Sequence, residues 1–448
     1  MQRTSALLTL FQLLLVAATV SAVVTPSDIA SSSDSSSPEL LEKTWTVSGA
    51  NLDKLQLQVA GNVFVDYDSS LQSADGVAAK VVMRASTPKL LEAVDVTDIG
   101  GGSAAVGVDS GVRLHYKNQR AHVEGLVTTQ ILLGKPNALR SISATNTQNV
   151  VLGESVVVND DKAAILHFSN HGSGHIFVES AADNAIDVQS VGIAVSGDGG
   201  VQFQATSLKV AEELVVSLVG SGHVAVLAEE SFIAGKVESA VAGTGKVFVQ
   251  TPSLQVETLA TEIVGNGKVS YASSGSCGTE KIRLAAEGSV NSAFIVCKNA
   301  DVSILGTGEV VLQATERLST TLLLTGSVKY VNGRPKSIQT SGLVLENSVQ
   351  PAEAIPSTQY APLSPPSRAA TSVFLTVEPA ANNDSPYIHV RPVLEPSMTL
   401  QSLSASLPES MSALVLFEVA LAAMAFVAFS AFKFKQRRIR SKYQSLLP

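Results

Sequence analysis

Gly220-Ser-Gly-His-Val-Ala-Val226, Gly243-Thr-Gly-Lys-Val-Phe-Val249 and Gly265-Asn-Gly-Lys-Val-Ser-Tyr271 repeat one pattern: two glycines one residue apart, a polar residue, then a valine-rich run. The pattern extends upstream to His171-Gly-Ser-Gly-His-Ile-Phe-Val178 and Gly197-Asp-Gly-Gly-Val-Gln-Phe203. Downstream it reaches Gly288-Ser-Val290, Gly306-Thr-Gly-Glu-Val-Val-Leu312 and Gly326-Ser-Val-Lys-Tyr330. Counting from Gly172, successive first glycines lie 25, 23, 23, 22, 23, 18 and 20 residues apart. A fixed period in this range is the mark of a solenoid, in which each turn is too small to bury its own apolar face and stacks on its neighbours.

Short runs rich in Val, Ile and Thr fill the repeat, such as Leu214-Val-Val-Ser-Leu218 and Leu254-Gln-Val-Glu-Thr258, and no amphipathic helical period interrupts them. The expected fold is therefore all-β, a parallel β-helix with turns of about 22 residues. Over residues 44–341 that amounts to some 13 turns and, at about 4.8 Å each, a rod on the order of 60 Å long. Two β-sandwiches are the alternative, but their turn signals recur every 8 to 12 residues or so. The turn glycines Gly172, Gly174, Gly197, Gly220, Gly222, Gly243, Gly245, Gly265, Gly267, Gly306, Gly308 and Gly326 are read as corners. They are not nucleotide loops, because a dinucleotide fingerprint opens a helix and a β-run follows each pair here.

These residues resemble the putative auto-transporter adhesin family with the head-GIN domain. The likeness lies in the Gly-x-Gly-x-Val turns of residues 172–312 and the closing Gly326-Ser-Val-Lys-Tyr-Val-Asn-Gly-Arg-Pro-Lys-Ser337. It covers residues 170–342 well and 45–170 weakly. It implies a parallel β-helix and a role in adhesion, and it brings no catalytic residues. The single glycines at 288 and 326 and Gly197-Asp-Gly-Gly depart from the pattern.

The ends suggest export. Residues 1–22 read as a signal peptide: Arg3, an apolar run from Ala6 to Val20, then small residues at Val20-Ser-Ala22. Met411–Phe432 carries one charge, Glu418, and is long enough to span a bilayer; Lys433, Lys435, Arg437, Arg438, Arg440 and Lys442 follow it. The expectation is a single-pass type I protein at the plasma membrane or an endosomal or vacuolar membrane, its basic tail 433–448 near membrane lipid. Tyr443-Gln-Ser-Leu446 in that tail resembles a sorting signal read by clathrin-adaptor complexes. Outside these ends stand 24 Lys and Arg against 38 Asp and Glu, a balance that disfavours nucleic acid.

Between the ends, residues 23–43 read as a disordered leader and 44–170 as an N-terminal solenoid half. The head-GIN-like half is 171–342, and 343–408 reads as a Pro/Ser/Thr-rich stalk with a possible edge strand at Val373-Phe-Leu-Thr-Val377. Cys277 and Cys297, the two cysteines of the chain, lie one repeat apart, where a disulfide between adjacent turns is permitted; two buried thiols are the alternative.

Little chemistry emerges. His167, His171 and His175 recur at intervals of four, but no Asp, Glu or Cys completes a metal set. Asp66, Asp68, Asp160, Asp161 and Asp198 are the candidates for paired carboxylates, and none has an evident match one turn away. Neither a cofactor nor an enzymatic activity is expected. The leading function is recognition or adhesion toward an extracellular or luminal protein or glycan. A structural spacer or coat protein and a carbohydrate-active β-helix enzyme are the alternatives.

Overall fold

A computed structural model describes residues 22–34, 39–49, 52–73, 76–99, 110–179, 185–342, 345, 347–356, 359–380 and 386–392. The repeat builds a parallel β-solenoid. Each turn has a short first wall, a longer second wall, a glycine corner and a third wall. In one turn these are Leu254–Val256, Thr258–Gly265 and Lys268–Tyr271. The ladder skips one residue at Gly235, Glu257, Gly278 and Lys298, and this irregularity separates the first wall from the second. Nine turns follow in order, their third walls starting at His175, Gly200, His223, Lys246, Lys268, Ser289, Glu309, Ser327 and Val349.

The two glycines of a corner do different work. At Gly265 the backbone turns through φ 115°, a region that L side chains rarely enter. At Gly267 the conformation is ordinary, but a Cβ would meet Val241 Cγ1 at 2.5 Å. Corner amides hydrogen-bond to the corner below, as Gly245 N does to Gly220 O at 3.0 Å, so the ladder continues through the bend. The single glycines are explained by register. Gly288 and Gly326 are second glycines, and Ala286 and Leu324 occupy the left-handed position before them with φ 89° and 88°.

The expected 13 turns are too many because much of the N-terminal region forms a cap. Strand Lys54–Gln58 lies between Gly111–Tyr116 and Ser141–Thr145, and Asn62–Tyr67 between Ala121–Leu133 and Asn149–Leu152. The chain thus builds one coil, steps outward to build the end coil, then returns past the first. Antiparallel strands close this end: Val77–Ala85 pairs with Ala121–Leu133 and with Leu41–Ser48. The end is a paired edge rather than an open one. The segment expected as a flexible leader contributes Val23–Pro26 and Ala30–Ser31 to the same cap. Trp45, 1% exposed, is buried there and supplies no sugar platform.

One membrane expectation is corrected. Among the described residues no helix is long and apolar enough to cross a membrane, and the α-helix they contain is Pro88–Glu92. The C-terminal transmembrane helix, the single-pass type I topology and the plasma or endosomal/vacuolar membrane location are therefore withdrawn as properties of this fold. The signal-like residues 1–21, the apolar stretch 411–432 and the tail with Tyr443 and Leu446 lie outside the described residues.

Cys277 and Cys297 face each other in register on adjacent turns and form a disulfide with Cα atoms 4.4 Å apart. The 20-residue loop it closes is worth roughly 3 kcal/mol in the chain-entropy account.

Candidate recognition surface

The walls differ in what lies outside them. On the second wall inward and outward residues alternate in burial, as expected for a sheet with one face in water. On the third wall the alternation fails. Val63, Phe64 and Val65 are all buried, as are Ile176, Phe177 and Val178. Phe64, Val151, Phe177, Ala225 and Val311 point outward and are nonetheless at most 4% exposed. The cover is the chain's own Pro-rich segment, read from the sequence as part of a stalk. It runs back along the solenoid as a strap.

The ties follow one another in strict order. Just past the last turn Ala352 N bonds Tyr330 O of the turn before it at 2.9 Å, and Asn291 Nδ2 donates to Pro356 O at 2.8 Å. Tyr360 N bonds Gln250 Oε1 at 3.0 Å, and its ring packs on Phe248 with centroids 5.1 Å apart. Gln202, 2% exposed, holds Leu363 as a neighbouring strand would: it accepts from Leu363 N at 2.8 Å and donates to Leu363 O at 3.0 Å. Arg368 grips Asp66 with two hydrogen bonds of 2.6 and 2.7 Å, its guanidinium 5.1 Å from the Phe64 ring centre. Thr371–Glu378 then pairs antiparallel with residues 121–127 of Ala121–Leu133. Val373, Leu375 and Val377, each 0% exposed, complete the cap's core.

Two histidines stand beneath Tyr360. His175 and His223 are two turns apart, yet their ring centroids are 5.0 Å apart because Gly200 lies between them. A Cβ on Gly200 would meet His223 Cε1 at 2.9 Å and His175 Cδ2 at 3.1 Å, which accounts for the doubled Gly199-Gly200. Tyr360 Oη donates to Gln202 Oε1 at 3.0 Å and lies 3.2 Å from His223 Nε2. Burial, then the neighbouring His175 and Lys246, push the His223 imidazole down to about 4. Burial lowers His175 as well, partly opposed by Asp198.

The other histidines form no metal set. His171 bonds Ser169, and among the described residues no group of three His, Cys, Asp or Glu is placed to hold a metal. The acidic candidates are structural. Asp66 is clasped by Arg368, Asp161 pairs with Arg140 at 2.8 Å, and Asp68 bonds the amide of Ser70. Asp160 stands in register with Asp187 of the next turn, whose carboxylate is held by Lys209 at 3.1 Å, and Asp198 belongs to the Gly197 corner.

The second wall is left uncovered. Its corner row runs Val219, Ala242, Val264, Ala285, Leu305 and Leu323, one residue per turn. Leu305 is 54%, Leu323 48% and the adjoining Leu324 54% exposed. Two residues from the row Glu262 and Arg283 stand in register on neighbouring turns, and at the opposite end of the wall ion pairs link turns, including Lys236–Glu213 at 3.6 Å and Arg317–Asp301 at 3.4 Å. The result is an aliphatic ridge about 24 Å long flanked by balanced charge.

Sequence reading missed the covered wall. The signal was present: Val63-Phe-Val65, Ile176-Phe-Val178, Val247-Phe-Val249 and Val310-Val-Leu312 are unbroken apolar triads. A strand with water on one face has a polar residue in the middle position; an apolar one there says that both faces are buried.

Comparison with known proteins finds a family match over part of the chain. The family model described as putative auto-transporter adhesin, head GIN domain, matches residues 233–335, well short of half the chain. A crystal structure of a putative adhesin from Parabacteroides distasonis is similar at 11% identity, covering 69% of this chain and 97% of that one, with a TM-score of 0.37. A putative lipid binding protein from the same organism is similar at 13% identity, covering 70% and 97%, with a TM-score of 0.35. A putative adhesin from Parabacteroides merdae is similar at 10% identity, covering 70% and 96%, with a TM-score of 0.34. No curated protein matches the chain.

Proposed function

We propose that the protein is a non-enzymatic recognition protein that presents the open second wall of its solenoid to an extended protein or glycan partner. The observation that carries this reading is the contrast between the walls. The chain covers the apolar third wall with its own strap and leaves the Val219–Leu323 row without such a cover, half-buried from Val219 to Ala285 and open to water at Leu305 and Leu323. A contiguous exposed apolar stripe rimmed by charge marks an interaction surface more often than scattered leucines do. The regular 4.8 Å rise of such a wall suits a partner that is itself extended or repetitive.

The test is a binding screen of the full chain against arrayed glycans and cell-surface proteins, repeated with the double variant Leu305→Lys, Leu323→Lys. Both positions are half-exposed, so the fold tolerates lysine there. Saturable binding that falls at least tenfold in the variant supports the reading. Binding unchanged by the variant places recognition elsewhere, and self-association alone favours a spacer or coat role.

A further inference from the structure

The cap carries a cleft that the end of the strap helps to close. The helix Pro88–Glu92, residues 117–120 and the start of Ala121–Leu133 meet there around a cavity of about 320 Å³, with Val377 of the strap at its side. We propose that this cleft binds a sulfate or phosphate ester group, held by Lys89, Lys117, Arg120 and His122.

The positive charge in the cleft is uncompensated. Lys89, Lys117 and Arg120 line it against a single carboxylate, Glu92, before the His122 ring is counted. None of the three forms an ion pair among the described residues, whereas basic side chains on the walls pair across turns, as Lys209 does with Asp187 at 3.1 Å and Lys329 with Glu309 at 2.6 Å. Carboxylates are not scarce, since outside the two ends the chain has 24 Lys and Arg against 38 Asp and Glu. Lys43, close enough to feel Lys117 and Glu92, registers the field. Burial first, then repulsion from Lys117, holds its ammonium below the ordinary value, and that repulsion exceeds the attraction of either Asp95 or Glu92. Lys117 is itself half-buried, and a partly desolvated cation without a partner carries a penalty that a bound anion removes.

The groups that present these charges are held in place. Lys117 N bonds Ala93 O at 2.8 Å where the helix ends, and Gln119 N bonds Lys117 O at 2.7 Å. Asn118 takes both backbone groups of Ala380, accepting from its N at 2.9 Å and donating to its O at 3.2 Å. The turn is thus fixed to the helix on one side and to the end of the strap on the other. His122 has its Nδ1 3.1 Å from Thr376 Oγ1 and meets the Phe374 ring edge-on, with centroids 4.7 Å apart. A guanidinium fork matches two oxygens of a sulfate or phosphate group, and the ammonium groups add point charge. The cavity is at the lower end of the range for small-molecule sites, more than a bare ion fills, so the ester arrives on a larger body such as a sugar. The site lies on the cap and stands whether or not the second wall binds a partner.

The experiment is calorimetric titration of the full chain at low salt with a monosaccharide sulfate, the matching monosaccharide phosphate and the unmodified sugar. Saturable binding of at least one ester is expected, with the unmodified sugar at least tenfold weaker; the tighter of the two names the ester the cleft prefers. The double variant Lys117→Gln, Arg120→Gln should weaken it at least tenfold. Lys89→Gln, at an exposed helix position, leaves the turn untouched and should weaken it at least threefold. The control Lys246→Gln, Lys268→Gln removes the same charge from two exposed residues in register on the third wall and should change affinity less than twofold. Absence of saturable binding by either ester overturns the proposal, as does an equal loss in the cleft and control double variants.

Discussion

Arg368 lays two guanidinium nitrogens on the carboxylate of Asp66, 302 residues earlier in the chain, and so fastens the C-terminal strap to the N-terminal coil. Burial alone would raise the Asp66 carboxyl. Hydrogen bonds from Arg368 and Gln130, and the Arg368 charge, outweigh it and hold the group below its ordinary value. A depressed carboxylate contributes stability that is present above its unfolded pKa and lost as pH falls through the folded one. Arg368 is more than half exposed, so the pair is worth on the order of 1 kcal/mol. Arg368→Ala should lower the melting midpoint by a few degrees and speed limited proteolysis within 359–370 severalfold at pH 7. As pH falls through the depressed folded pKa of Asp66 the variant and the parent should converge. Equal cleavage rates at pH 7 would mean that the clasp does not hold the strap.

Glu280 occupies an inward ladder position between Leu259 and Ala300, and neither carboxylate oxygen has a hydrogen-bond partner among the described residues. Burial pushes its carboxyl up to about 7, only slightly offset by the nearby Ser292 hydroxyl. The folded pKa lies above the unfolded one, so the contribution is fully present below about pH 4.5 and is lost as pH rises through 7. Stability should fall by roughly 3 kcal/mol between pH 4.5 and 9 from this group. Glu280→Gln should flatten that slope and be more stable than the parent at pH 9. Parallel pH profiles of the two in urea unfolding would refute this.

How much of this was legible in the sequence follows from what each signal measures. Period and glycine spacing report the turn length, so the solenoid was readable from Gly172 to Gly326. Val373-Phe-Leu-Thr-Val377 was readable as a strand because alternation is local; its partner Ala121–Leu133 was not, because nothing local encodes a pairing across some 250 residues. The Pro-rich composition around Pro362-Leu-Ser-Pro-Pro366 reports extension, not whether the extended chain stands free or lies on a wall. The Phe64, Phe177 and Phe248 triads held that missing information. The cap escaped because a coil inserted between two others breaks any fixed period.

At two corners the chain accepts strain. Ala286 and Leu324 sit at φ 89° and 88°, where the equivalent residues of the neighbouring turns are Gly265 and Gly306. Non-glycine residues held there cost about 1 kcal/mol or more. Ala286→Gly and Leu324→Gly should each stabilise the chain by about 1 kcal/mol, even allowing for glycine's larger unfolded entropy. Gly265→Ala should destabilise it by more, since it adds a Cβ 2.6 Å from the Gly243 carbonyl as well as strain. Chemical denaturation midpoints decide the matter, and a loss of stability in both glycine variants would contradict the corner assignment.

His223 couples the strap to acidity. Its depressed folded pKa of about 4 means that its contribution is present above the unfolded value of 6.5 and lost as pH falls through 4. Charging the ring also places a cation between His175 and Lys246, directly under Tyr360. Proteolysis of the strap near Tyr360 should accelerate between pH 6 and 4 in the parent. In His223→Gln, which keeps a polar partner for the tyrosine without a titrating ring, the acceleration should be at least halved. An unchanged acid response in that variant would assign it to other groups.

The account rests on residues 359–378 lying against the solenoid, and amide hydrogen exchange of the full chain at pH 7 measures that directly. The amides of Thr371–Glu378 should be protected to the same order as those of Ala121–Val127, with Leu363 slower than its proline-rich surroundings. Exchange of residues 371–378 within seconds, while the solenoid walls stay protected, would show a free segment and contradict the strap.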